Sequence, residues 1–126
     1  MDDIVKIIKN NQLFENIKED EIKQIIKCSN AQVIECENNQ LIFQKDDVIK
    51  NLGIVIEGQF NLISQKYSGA RVIVTALEQN DLFGEALVFS TLNKAPYDLI
   101  SSGRSRALIF PYNVFFAMCG QVCAFH

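Results

Sequence analysis

The sequence predicts a mainly β fold, an antiparallel sandwich or barrel flanked by helices at both ends of the chain. Three observations carry that expectation. The middle of the chain breaks into short β-branched runs, each closed by a cluster of Gly, Asn, Asp or Ser. The runs recur at intervals of about 8–12 residues, the spacing of strands joined by tight turns. Residues 1–30 and 111–126 instead place apolar side chains at helical intervals.

The elements follow in order. Ile4, Ile7 and Ile8 share one face of a first helix, and Leu13-Phe14 form an apolar elbow after it. Asp20 is the expected N-cap of a second helix over 21–28, in which Ile22, Ile25 and Ile26 lie on one face; Ser29-Asn30 ends it. From Ala31 the period changes. Val33-Ile34, Leu41-Ile42-Phe43, Ile54-Val55-Ile56, 60–63 and 72–77 read as strands. Their turns are Glu37-Asn38-Asn39, Lys45-Asp46-Asp47, Glu57-Gly58, Tyr67-Ser68-Gly69 and Glu78-Gln79-Asn80-Asp81. Residues 84–89 fit one helical turn, and 97–101 and 107–110 fit two further strands, about eight in all. After Pro111 the residues Val114, Phe115, Met118, Val122 and Phe125 return to helical spacing, and the pattern reaches His126 without a stop signal. The expectation is one domain over 1–126: helical to 30, a β-roll over 31–110, and from 111 the start of a helix that continues in a longer parent protein.

The composition narrows the function classes. The 126 residues are 48% apolar, enough for one core. Twelve Lys and Arg stand against fifteen Asp and Glu, a net charge of −3. A chain that grips DNA by itself carries a basic stripe, because phosphate contacts dominate affinity. No such stripe is present in the sequence. The acidic start Met1-Asp2-Asp3 is unlike a secretory leader, and no apolar run approaches the roughly 18 residues that span a bilayer. Four cysteines without an export signal read as reduced thiols in a cytoplasmic protein, with no membrane partner.

Within this frame Asp81-Leu82-Phe83-Gly84-Glu85 is the most informative segment. Together with Leu13-Phe14 before the second helix, Gln44-Lys45-Asp46-Asp47 at a strand-ending turn and Ile54-Val55-Ile56-Glu57-Gly58-Gln59-Phe60, it resembles the N-terminal cyclic-nucleotide-binding β-roll of bacterial Crp/Fnr-type transcription regulators. The resemblance covers nearly the whole chain. It implies an antiparallel double-stranded β-helix, or jelly roll. It also implies the effector-sensing part of a homodimeric regulator, whose DNA-binding domain and long dimerising helix lie outside this sequence. The partners implied are an unknown small-molecule effector and, through the missing domain only, DNA. No cofactor is required for the fold, and the identity of any bound group is unknown.

The resemblance also marks a pocket. In family members that bind cyclic AMP, the Gly of Phe-Gly-Glu lets the backbone approach the cyclic phosphate and the Glu accepts a ribose hydroxyl; these map to Gly84 and Glu85. Such members carry Arg-Ser-Ala or Arg-Thr-Ala about ten residues later, the Arg pairing with the phosphate. Here that stretch is Lys94-Ala95-Pro96-Tyr97. Ala95 takes the Arg position and Pro96 the hydroxyl position. A buried phosphate without a cation loses a charge-assisted pair worth on the order of a few kcal/mol, and proline removes a backbone donor. Lys94 is the neighbouring cation, but adjacent strand residues point to opposite faces. The expected ligand pocket is Phe83, Gly84, Glu85, Ala95, Pro96 and Tyr97, without response to cyclic AMP through the usual Arg–phosphate contact. Glu85 serves either as a ligand acceptor for another effector or as a local cap. The cavity is either occupied by such an effector or closed around Phe83, Leu87, Phe89 and Tyr97. In the latter case the roll is a ligand-free dimerisation module.

Cys119, Cys123 and His126 stand at i, i+4 and i+7, one face of a helix, and offer three of the four ligands of a zinc or iron site. Cys28 or Cys36 is the only remaining source of a thiolate. The bland alternative is a set of small side chains packed where a helix crosses the roll; the other is a metal or thiol redox sensor. Catalysis is not expected: one histidine, with no partner at motif spacing, supports neither a triad nor the several-His metal set of a cupin-type enzyme. Asp46-Asp47 reads as a solvated corner rather than a catalytic carboxylate pair.

Overall fold

The computed structural model describes residues 2–11, 14–84 and 94–111. Among these residues two helices, α1 (Asp2–Ile8) and α2 (Glu19–Cys28), precede six strands: β1 (Gln32–Cys36), β2 (Leu41–Phe43), β3 (Asn51–Gln65), β4 (Arg71–Leu77), β5 (Leu82–Phe83) and β6 (Asp98–Pro111). All strand pairs are antiparallel, in the order β1-β6-β3-β4, with β2 also on β6 and β5 also on β3.

β3 and β6 form the spine. They pair from Asn51↔Pro111 to Ile63↔Asp98. Each changes its outer neighbour halfway. β6 takes β2 at Leu99 and Ile100, then β1 from Ser105 to Ile109. β3 takes β5 at Gly53 and Ile54, then β4 from Phe60 to Gln65. That exchange rolls one sheet onto itself, which is the jelly-roll arrangement expected from the sequence.

The spine also corrects the sequence reading. Ile54-Val55-Ile56 and 60–63 are one strand, not two, and 97–101 and 107–110 merge into β6. Glu57-Gly58 is a bulge rather than a turn: the register shifts on both sides of Glu57 while pairing continues. Gly58 has φ +82°, and a Cβ there would lie 2.4 Å from Ser105 Oγ and 2.7 Å from the Arg104 carbonyl oxygen. Only glycine satisfies both conditions, so the pair bends without breaking. Ser105 seals the bend: its hydroxyl accepts the Gln59 N–H at 3.1 Å and donates to the Gln59 carbonyl at 3.0 Å.

The other turns fall where expected, and four carry a residue in the left-handed region: Asn39, Asp46, Gly69 and Asn80. α2 differs at its start. Lys18 is the N-cap without a side-chain bond, and Asp20 sits inside the first turn with Glu19 and Glu21, where carboxylates favour the helix dipole.

Two apolar clusters share the spine. Leu52, Ile54, Ile56, Leu108 and Phe110 face the helices and pack on Ile8, Phe14, Ile22 and Ile25. Val55, Phe60, Leu99 and Ala107 face the roll interior with Cys36, Leu77 and Phe83. Both faces of β3 are therefore buried, which explains the unbroken Ile54-Val55-Ile56 run. Phe14 meets Phe110 edge-on with ring centres 6.0 Å apart, fixing the helices to the end of β6.

Candidate functional site

The turn over Glu78–Asp81 delivers β5 to the spine. The Asp81 carboxylate accepts the Glu78 N–H at 2.8 Å. The Asn80 N–H donates to the Val55 carbonyl at 2.7 Å, and the Val55 N–H donates to the Asp81 carbonyl at 3.0 Å. Phe83 thus lands opposite Gly53, where its ring occupies the space a side chain would need. Gly84 follows with φ +90°, and a Cβ on it would stand 2.7 Å from the Asn51 carbonyl oxygen. Conformation and crowding both demand glycine here.

The second half of the expected pocket lies just before β6. Ala95 is 1% exposed and packs in the helix-side cluster with Ile49. Its N–H donates to the Asp47 carbonyl at 2.9 Å, and its own carbonyl accepts the Asp46 N–H at 2.7 Å. The Asp98 carboxylate accepts the Lys45 N–H at 2.7 Å, and the Asp47 carboxylate accepts the Gln44 N–H at 2.9 Å. The Gln44–Asp47 corner is therefore bolted to residues 95–98 by backbone and carboxylate bonds. Lys94 is exposed and bridges to Val48; Pro96 is exposed and Tyr97 half-buried. Neither Ala95, whose N–H is already bonded, nor Pro96, which has none, offers a donor to a phosphate.

Beside Phe83 a cleft of about 450 Å³ opens. Its walls are Ile34, Ile42, Phe43 and Ile109, all half-buried and packed on the roll-interior cluster. Asp47, Lys50 and Asn51 stand on its polar side. Of the expected pocket residues that are described, Phe83 lines it; Gly84, Ala95, Pro96 and Tyr97 do not. The sequence carried one usable signal for the walls, the apolar residues of three strand-forming runs, but not which face would stay partly open.

Glu85, Leu87 and Phe89 lie outside the described residues, as do Cys119, Cys123 and His126. Of the remaining thiols, Cys28 is exposed and Cys36 is buried. Burial pushes the Cys36 thiol above its ordinary range, which favours the protonated form over a thiolate ligand. Among the described residues, no three His, Cys, Asp or Glu side chains converge as a metal site. Among the same residues, no helix is long and apolar enough to cross a membrane.

The fold has close structural counterparts. The sensor domain of the transcriptional regulator DNR from Pseudomonas aeruginosa superposes with a TM-score of 0.80 at 12% identity, over 94% of this chain and 78% of that one. The N-terminal domain of a transcriptional regulator from Streptomyces coelicolor gives 0.78 at 14% identity, over 94% and 82%. A transcriptional regulator from Thermotoga maritima gives 0.69 at 19%, over 79% and 76%. At such identities the likeness establishes the fold alone. No curated protein sequence matches this chain. The model of the cyclic nucleotide-binding domain matches residues 33–122, from β1 through the spine and beyond it. By that match the chain belongs to the cyclic nucleotide-binding domain family.

Proposed function

We propose that this chain is the effector-sensing domain of a bacterial Crp/Fnr-type transcription regulator, and that its effector is not held through the Arg–phosphate contact. The observation that carries the second half is Ala95. Its side chain is built into the core and its N–H is bonded to Asp47, so position 95 offers neither a cation nor a free backbone donor to a phosphate. Family membership, and the N-terminal and sensor domains of transcriptional regulators among its structural counterparts, support the first half. Effector binding in the roll shifts a two-state equilibrium that a DNA-reading domain reports, through differential affinity for the two states. The working form is a cytoplasmic homodimer, acting on DNA through a separate domain and catalysing no reaction.

Calorimetric titration with cyclic AMP and cyclic GMP tests the reading. No saturable binding is expected at millimolar nucleotide. A micromolar dissociation constant for either would overturn it. A gel-shift screen with the full-length protein and its own promoter tests the regulator assignment; sequence-specific retention is expected, and its absence with and without effector counts against it.

A further inference from the structure

The cleft beside Phe83 has a chemistry of its own. Its walls are aliphatic and aromatic, continuous with the roll-interior cluster, yet Ile34, Ile42, Phe43 and Ile109 remain half-buried. Such a surface gains by burial of an apolar body. Its volume of about 450 Å³ lies within the range of small-molecule sites. The polar lining carries one carboxylate, Asp47, and one ammonium, Lys50. The Asp47 carboxylate already accepts the Gln44 N–H and stabilises the corner. Lys50 is exposed and has no ion-pair partner among the described residues. Asn51 beside it also lines the cleft. One ammonium matches a single carboxylate; it falls short of the several donors a phosphate dianion requires.

We infer that this cleft binds a small monocarboxylate with an apolar alkyl or aryl body, the carboxylate on Lys50 beside Asn51 and the body between Ile34, Ile42, Phe43 and Phe83. The inference rests on the sensor reading above and specifies its ligand class.

The test uses the purified chain with 4-phenylbutyrate and its uncharged primary amide as probes, read by calorimetry. Saturable binding of the carboxylate is expected, with the amide on the order of tenfold weaker. Lys50→Met should weaken the carboxylate by a similar factor and leave the amide unchanged. Ile42→Trp, which fills the cleft, should abolish both. Because Ile42 packs on the core, Lys50→Met at an exposed position keeps the test independent of folding. No binding of the carboxylate at millimolar concentration overturns the inference. Equal binding of acid and amide, or indifference to Lys50→Met, overturns the headgroup assignment. Cyclic-nucleotide binding overturns instead the reading that the effector is not a cyclic nucleotide, so the two failures are told apart.

Discussion

The Phe83 ring lies across Gly53 on the paired strand, so that a Cβ on Gly53 would come within 2.0 Å of the ring's Cζ. The missing side chain is what lets β5 close against β3 and aims Phe83 into the roll, against Phe60 at 6.2 Å.

Gly53→Ala should therefore displace a core aromatic rather than fill a gap. Overpacking of this kind costs about 1–3 kcal/mol. The urea midpoint should fall with the slope unchanged. Combining Gly53→Ala with Phe83→Leu should lose less than the two single losses added, with a coupling of about 0.5–3 kcal/mol. Additive losses would show that the ring and Gly53 are not in contact.

Ser101 joins the start of the roll to the spine. It is 1% exposed. Its hydroxyl accepts the Gln40 N–H at 2.9 Å and donates to the Glu37 carbonyl, while its own N–H and C=O bond the same turn. Ser101→Ala leaves the Gln40 N–H without this partner, and a cost of about 1–3 kcal/mol is expected. The neighbouring exposed Ser102→Ala should stay within about 0.5 kcal/mol. Thermal melts of the two variants side by side check the contrast.

Much of this architecture was legible because the turns carry their own chemistry. Asn39, Asp46, Gly69 and Asn80 each adopt the left-handed backbone their clusters advertise. The bend at Glu57-Gly58 was misread for the same reason: a turn and a bulge both ask for glycine with positive φ. What separates them is whether pairing continues across the position, which depends on β6, more than forty residues away. The site divides similarly. The proposed absence of a phosphate clamp rests on Ala95-Pro96, two adjacent residues that the sequence displays directly. The cleft is not local, since Ile34, Ile42 and Ile109 come from three strands and meet only when the sheet rolls.

Cys36 gives a pH signature. Burial raises its thiol above the ordinary value of 9.0. The folded chain therefore keeps the proton to a higher pH than the unfolded chain. Wherever the native state holds more protons, stability falls as pH rises. The contribution is fully present below pH 9.0 and is lost as pH climbs through the folded value. Cys36→Ala removes this part of the decline. The stability difference between wild type and variant should shrink from about pH 8 to about pH 10 in urea melts. A difference constant over that interval would mean that the thiol titrates alike in both states.

Ala95→Arg together with Pro96→Ser rebuilds, on paper, the residue types of a cyclic-phosphate clamp. The structure predicts failure. The Ala95 side chain points into the cluster that holds Ile49, Leu108 and Phe110, and its backbone is tied to Asp46 and Asp47. An arginine there either buries an unpaired guanidinium, at a cost of about 3 kcal/mol or more, or breaks the corner to escape. The double variant should melt several degrees lower and still give no calorimetric signal with cyclic AMP. Micromolar binding at an unchanged melting temperature would show that position 95 faces the ligand after all, and that the clamp was lost by substitution alone.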